Sequence, residues 1–125
     1  MRFLLDTHAF LWFVFDDPKL SAQARWLIHE ADEVYVSSAS LWEASIKAGL
    51  GKLHLDTDLL LQAIRDSGFI ELPVRAIHTM AVRHLPDIHR DPFDRMLVAQ
   101  ALTEPLKLVT ADARLIEYTD LIVLI

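Results

Sequence analysis

The sequence predicts an α/β fold in which a parallel sheet is covered by helices on both faces. Short strand-like runs alternate along the chain with helical patterns, which is how parallel sheets are connected. The runs Phe3-Leu4-Leu5 and Leu121 to Ile125 are continuously apolar, and Leu106 to Val109 is broken only by Lys107, as strands buried on both sides are. No low-complexity segment, internal repeat or Gly/Ser linker interrupts the 125 residues, so residues 1–125 read as one domain.

Each element has its own signal. Phe3-Leu4-Leu5 is the first strand. Residues from about Thr7 to Phe15 carry apolar groups all round, which predicts a well-buried helix. Ser21 opens a second helix with Ala24, Leu27 and Ile28 on one face. Val34-Tyr35-Val36 is a second strand, rich in β-formers. Ser37 or Ser38 caps a third helix to about Ala48, ended by Gly49. Asp56 or Thr57 starts a fourth helix that stops before Gly68. Phe69 to Leu72 is a third strand, and residues from about Arg75 to His84 form a short helix. Asp91-Pro92 opens another helix, reaching about Leu102. Leu106 to Val109 and Leu121 to Ile125 are the last two strands.

Composition narrows the function classes. Just over half of the residues are hydrophobic, at 53%, yet no apolar run reaches the roughly 18 residues of a membrane span. The opening Met1-Arg2-Phe3-Leu4-Leu5-Asp6 is too short in apolar residues for a signal peptide. A cytoplasmic protein without membrane association is expected. The absence of cysteine excludes a disulfide framework and a thiolate metal site, and fits a reducing compartment. The net charge of −6 does not advertise nucleic-acid binding. If several acids share one pocket, however, a divalent cation there offsets them and leaves the remaining surface nearer neutral.

In open parallel sheets, ligands bind beyond the carboxyl ends of the strands. Asp6 follows the first strand and Asp112 follows the fourth, in Val109-Thr110-Ala111-Asp112. Glu43 lies about one and a half turns into the helix after the second strand. Asp94 lies in the first turn of the helix opened by Asp91-Pro92. All four can converge on one edge. Carboxylates so placed hold Mg²⁺ or Mn²⁺, which polarises a phosphodiester and activates water against it. An all-oxygen set favours these hard ions over zinc.

Each acid also has a structural role open to it. Asp91 suits a helix N-cap with Pro92 at the first helical position, and Asp94 then complements the helix dipole. Ser40-Leu41-Trp42-Glu43 fits a capping box, and Glu43 with Lys47 fits an i,i+4 ion pair. Asp112 suits a cap on a following short helix. Asp6 is hardest to explain structurally, because an acid beside a buried strand needs a partner or a cation.

The joint pattern resembles a known family. Leu4-Leu5-Asp6-Thr7-His8, Ser40 to Lys47, His89 to Ala101 and Val109-Thr110-Ala111-Asp112 are similar, in order and across nearly the whole chain, to the signature blocks of PIN-domain nucleases. The nearest likeness is to the VapC-type toxins of bacterial toxin–antitoxin pairs. The resemblance implies a three-layer α/β/α sandwich with a mainly parallel sheet, Mg²⁺ or Mn²⁺ dependence, and endonucleolytic cleavage of RNA. It also implies a homodimer and a cognate antitoxin. It places catalytic, metal-holding roles on Asp6, Glu43, Asp94 and Asp112, and an accessory role on Asp91. Thr7 and Thr110 match family hydroxyls that hydrogen-bond the acids. No principal acid is substituted, which argues against a catalytically silent PIN-like module.

His78, His84 and His89 match no compact zinc spacing. His8 either lines the pocket or packs on the sheet. Trp12, Trp26 and Trp42 are able to stack on bases, with Trp42 more readily read as core. Arg90, Arg95 and Lys47 flank the acids and are candidates for phosphate contacts. A receiver-like signalling domain also gathers acids around Mg²⁺, but serine follows the second strand and no lysine lies beyond Lys107. Trp26, Leu27 and Leu59-Leu60-Leu61 are expected to supply the apolar surface of a homodimer.

Overall fold

The computed structural model describes residues 1–125. Five strands form one all-parallel sheet: β1 (Arg2–Leu5), β2 (Glu33–Ser37), β3 (Ile70–Leu72), β4 (Lys107–Thr110) and β5 (Ile122–Leu124), in spatial order β3-β2-β1-β4-β5. Six α-helices cover it: α1 (Thr7–Val14), α2 (Ala22–Glu30), α3 (Ser38–Gly49), α4 (Thr57–Asp66), α5 (Ala76–Val82) and α6 (Pro92–Thr103). A 3-10 turn over Ala113–Glu117 joins β4 to β5. The three-layer arrangement expected from the strand–helix alternation is present.

Side chains on a strand alternate between faces, so a central strand feeds two cores. Phe3 and Leu5 join Phe10, Ala24, Ile28, Val36, Leu60 and Ile64 on one face. Leu4 turns to the other face, among Leu97, Val98, Ala101, Leu108 and Leu115. β1 is the hinge of the topology. Leu5 is in register with Val36 on one side and Val109 on the other. The chain runs outward from β1 to β2 and β3, then returns to lay β4 against the opposite edge of β1. That reversal opens the crevice in which parallel sheets place ligands.

The helix caps differ in places from the sequence reading. Ser37 is the N-cap of α3, its hydroxyl accepting from the Ala39 amide at 3.0 Å. The Ser40–Glu43 capping box is therefore not formed, because Ser40 already lies inside the helix. α3 ends at Gly49, within a residue of the expected end, although Gly49 is not its left-handed stop. It is helical, and Gly51, at φ +73°, takes the left-handed conformation two residues later. Gly68, also at φ +73°, ends α4 as expected, with the Phe69 amide closing back on the Ile64 carbonyl at 2.9 Å. β1 is the central strand and Asp6 follows it, but β4 ends in Thr110 and β5 in Leu124, so the late-strand lysine of a receiver-like arrangement is missing.

Candidate active site

Asp6 is fixed from three directions. Its amide donates to the Val109 carbonyl at 3.0 Å, extending the β1–β4 ladder by one residue. Its Oδ1 caps α1, accepting from the Ala9 amide at 2.8 Å. Its Oδ2 accepts from the Thr110 hydroxyl at 2.5 Å. The residue is only 5% exposed. Burial pushes its carboxyl above the ordinary range, against the two donors that favour the anion, and the charge of Glu43 pushes the same way.

Glu43 is likewise buried, and its Oε2 accepts from Lys47 Nζ at 2.8 Å one turn along α3. Asp91 caps α6 with a single oxygen, accepting from the Phe93 and Asp94 amides at 2.8 and 3.0 Å. That cap places Asp94 at the third helical position, facing the crevice. Burial raises the Asp94 carboxyl above its ordinary range, opposed by a hydrogen bond from His89, while the charges of Asp91 and Asp6 raise it further. Asp112 caps the 3-10 turn through the Arg114 amide at 3.0 Å. It also takes both arms of the Arg114 guanidinium, at 3.0 and 2.8 Å, which holds its carboxyl below the usual range.

Asp6, Glu43 and Asp94 therefore sense one another at the mouth of the switch point. His89 links Asp94 to Asp112, its Nε2 lying 2.9 Å from Asp94 Oδ2 and 3.7 Å from Asp112 Oδ2. Asp6 and Asp94 are destabilised as anions by burial and by neighbouring carboxylates, with few fixed cations to offset them. A divalent cation suits that deficit, and the oxygen-rich donor set suits a hard ion. One ligand atom from each of His89, Asp94 and Asp112 falls within a 4.8 Å span, a spacing that accommodates an ion.

Several sequence expectations need correction. Thr110 does bond the acidic cluster, but the Thr7 hydroxyl donates to Ser40 Oγ at 2.9 Å instead and so ties α1 to α3. Trp42 is not core; it is 64% exposed and packs edge-on against Phe93, with ring centroids 5.1 Å apart. His8 is exposed and leans on Trp12. Arg95 is no free phosphate contact. Its guanidinium donates to the carbonyls of Val82, Pro86 and His89 and to the Tyr118 hydroxyl, at 3.0 to 3.4 Å. It is the internal strut of the loop before α6. His78 is sequestered with Glu104 and the Arg75 amide, away from His89.

The sequence reading missed His89 and Arg114 as members of the site. Both stand within five residues of an assigned acid, and only the three-dimensional placement of their side chains singles them out. Arg95 carries a stability prediction. Arg95→Ala removes the strut and leaves three carbonyls without this donor, at a cost of about 2–3 kcal/mol. At about 4 °C per kcal/mol, the melting temperature should fall by about 10 °C in a thermal scan. An unchanged melting temperature would show that these contacts are idle.

A parallel sheet with carboxylates gathered at its topological switch point defines a class of α/β proteins that assemble an acidic centre on one sheet edge. The PIN domain family matches residues 3–121, and the chain belongs to that family. It is 30% identical over 114 residues to ribonuclease VapC22 of Mycobacterium tuberculosis (strain ATCC 25618 / H37Rv), covering 90% of this chain and 88% of that protein. Among solved structures, it is similar to VapBC2 from Rickettsia felis bound to a DNA fragment from their promoter. The TM-score is 0.71 at 16% identity, over 100% of this chain and 98% of that one. DNA-bound VapBC from Salmonella typhimurium gives a TM-score of 0.68 at 19% identity, over 100% and 97% of the two chains. FitAcB from Neisseria gonorrhoeae gives 0.63 at 20% identity, over 98% and 96%. These structural likenesses speak to the fold.

Proposed function

We propose that this chain is a metal-dependent endoribonuclease, the toxin of a toxin–antitoxin pair, acting as a single PIN domain in the cytoplasm. One observation carries the mechanism: Asp6 is buried as an acid at the β1–β4 switch point, beside Glu43 and Asp94 and bonded by Thr110. The α1 cap alone does not require a buried carboxylate beside like charges, because a serine or threonine would serve it. The sequence similarity to a ribonuclease supplies the reaction class.

Asp6, Glu43, Asp94 and Asp112 are the groups that would hold Mg²⁺ or Mn²⁺. When bound, the ion supplies Lewis-acid polarisation of a phosphodiester and acidifies water for attack on it. The chain's own side chains prepare the rest. Thr110 and the Ala9 amide hold Asp6 in one rotamer. Lys47 fixes Glu43 and brings positive charge to the rim. Asp91 sets the start of α6 and so the position of Asp94. Arg90 is exposed beside the site and forms no ion pair, which leaves it available to an RNA phosphate. No helix is long and apolar enough to cross a membrane.

The fold neighbours include VapBC assemblies and a toxin–antitoxin complex from Klebsiella pneumoniae, which supports a cognate antitoxin as partner. A basic side chain of that partner, entering beside Asp6, Glu43 and Asp94, would compete with the cation. A homodimer is the other proposed assembly. Of the apolar residues named for it from sequence, Leu60 is buried in the core, while Trp26 and Leu59 are exposed. Other exposed apolar side chains stand on α3 and α5, namely Trp42, Ile46, Ile77 and Met80. Light scattering at micromolar concentration should give twice the chain mass for wild type and the single mass for a Trp42→Glu/Met80→Glu variant. A wild-type monomer contradicts the dimer.

The function is tested by incubating purified protein with a mixed RNA substrate. Cleavage is expected with Mg²⁺ or Mn²⁺ and none with excess chelator. RNA left intact under every metal condition contradicts the proposal.

A further inference from the structure

The acidic centre holds a nitrogen that no carboxylate pattern explains. His89 lies in the loop between α5 and α6, outside any helix or strand, yet its backbone is held at both ends of its peptide unit. Its amide donates to the Tyr118 hydroxyl at 2.9 Å, and that hydroxyl donates back to the His89 carbonyl at 3.2 Å. Arg95 donates to the same carbonyl at 3.4 Å and to the same hydroxyl at 3.1 Å. The hydroxyl's one proton and its acceptor capacity are thereby both used. The imidazole is only 11% exposed, so the side chain is as confined as its backbone.

Resting on the metal-dependent reading of the same site, we propose that His89 is itself a ligand of the bound ion. It joins Asp94 and Asp112 in a mixed nitrogen–oxygen set that favours Mn²⁺ over Mg²⁺. The Nε2 atom faces two carboxylate oxygens, at 2.9 and 3.7 Å. A single N–H points at only one of them, whereas an ion between the three groups serves both. Octahedral ligands about 2.1 Å from an ion stand about 3 Å apart when adjacent and about 4.2 Å apart when opposite. The three ligand atoms lie within 4.8 Å of one another, so small side-chain rotations bring them onto one ion. In the ligating form the imidazole proton resides on Nδ1, and the Nε2 lone pair faces the ion. Arg114 now shares Asp112, but its side chain is 66% exposed and free to swing outward. Mg²⁺ takes oxygen ligands and keeps its waters, whereas an imidazole nitrogen adds affinity for a transition ion.

The test uses the full chain and Mn²⁺ alone, without RNA. Pulsed electron paramagnetic resonance of the Mn²⁺-loaded wild type should show nitrogen hyperfine coupling that changes on selective ¹⁵N-histidine labelling. The coupling should vanish in His89→Gln and persist in His8→Gln, the other histidine next to an assigned acid in sequence. By calorimetry, His89→Gln should lose roughly tenfold in Mn²⁺ affinity and less than threefold in Mg²⁺ affinity. The wild-type measurement stands even if the variant folds poorly. No histidine coupling in the wild type, or coupling that survives His89→Gln, overturns the proposal. Equal loss for both ions without coupling also overturns it and leaves His89 as a positioning residue for Asp94. RNA cleavage without nitrogen coupling defeats only this inference, whereas no Mn²⁺ binding at all defeats the nuclease reading with it.

Discussion

Asp6→Asn should abolish RNA cleavage, by about a thousandfold or more, while leaving the fold intact. The substitution keeps the shape of the side chain and one acceptor oxygen, enough to retain the α1 cap made by the Ala9 amide. It removes the charge that the ion requires. The cost to catalysis is large because electrostatic preorganisation is lost where the transition state is stabilised, and single groups of that kind are commonly worth about 10²–10³-fold. The loss of a metal ligand adds to that. Stability should respond in the opposite sense. In the metal-free protein Asp6 is buried and faces Glu43, so the neutral amide relieves a penalty. The Thr110 hydroxyl offsets part of that relief, because it must turn to accept from the amide while still receiving the Asp112 amide. The melting temperature without metal should be unchanged or slightly raised. With Mg²⁺, wild type should gain stability and Asp6→Asn should not. A fully active Asp6→Asn protein removes Asp6 from the site.

Metal addition should raise the wild-type melting temperature by an amount that grows with pH. At a hundredfold excess over the dissociation constant, binding contributes about 2.7 kcal/mol, or about 10 °C at this chain length. The direction of the pH dependence follows from the shifted carboxyls. Burial raises Asp6 and Asp94 in the folded state, so the folded protein holds protons there that the unfolded chain has released. Their contribution to metal-free stability is present below the ordinary carboxylate range and is lost as pH rises through their raised folded values. Metal-free wild type should thus lose stability relative to an Asp6→Asn/Asp94→Asn variant as pH rises from the acid range toward neutrality. Asp112 acts oppositely, because Arg114 lowers it; its contribution is present above the ordinary range and lost on strong acidification. The cation needs the ionised acids, so its stabilising increment should shrink as Asp6 and Asp94 become protonated. Thermal scans with and without Mg²⁺ across that range provide the check. An increment independent of pH would mean that the ion binds elsewhere.

The parts of the molecule legible in sequence were those set by local patterning. The five strands were legible as short runs of apolar and β-forming residues; β1 is continuously apolar in Phe3-Leu4-Leu5, whereas β3, Ile70-Glu71-Leu72, buries only Leu72. The four acids were legible because Asp6 and Asp112 follow strands, Asp94 opens a helix and Glu43 lies on the helix after β2, and the parallel topology sends those points to one edge. Side-chain direction was not legible. Ser40 and Glu43 have capping-box spacing, yet Ser37, three residues earlier, takes the cap because β2 ends there. Trp42 neighbours a buried glutamate but lies round the helix on its exposed side. Arg95 resembles a surface cation beside an acid, and only the path of the loop from Val82 to His89 converts it into a strut. His89 lay hidden for the same reason, since nothing local in His89-Arg90-Asp91 shows that Tyr118 fixes its backbone.

If the buried acids at the β1–β4 switch point hold the ion that cleaves RNA, both a carboxylate and the ion are required for cleavage. The most direct measurement is single-turnover cleavage of RNA by wild type and by Asp94→Asn, each with Mn²⁺ and with chelator. Asp94→Asn keeps the α6 cap, which belongs to Asp91, so the comparison isolates the carboxylate. Cleavage is expected only from wild type with metal. Equal cleavage by both proteins, or cleavage that survives the chelator, would contradict it.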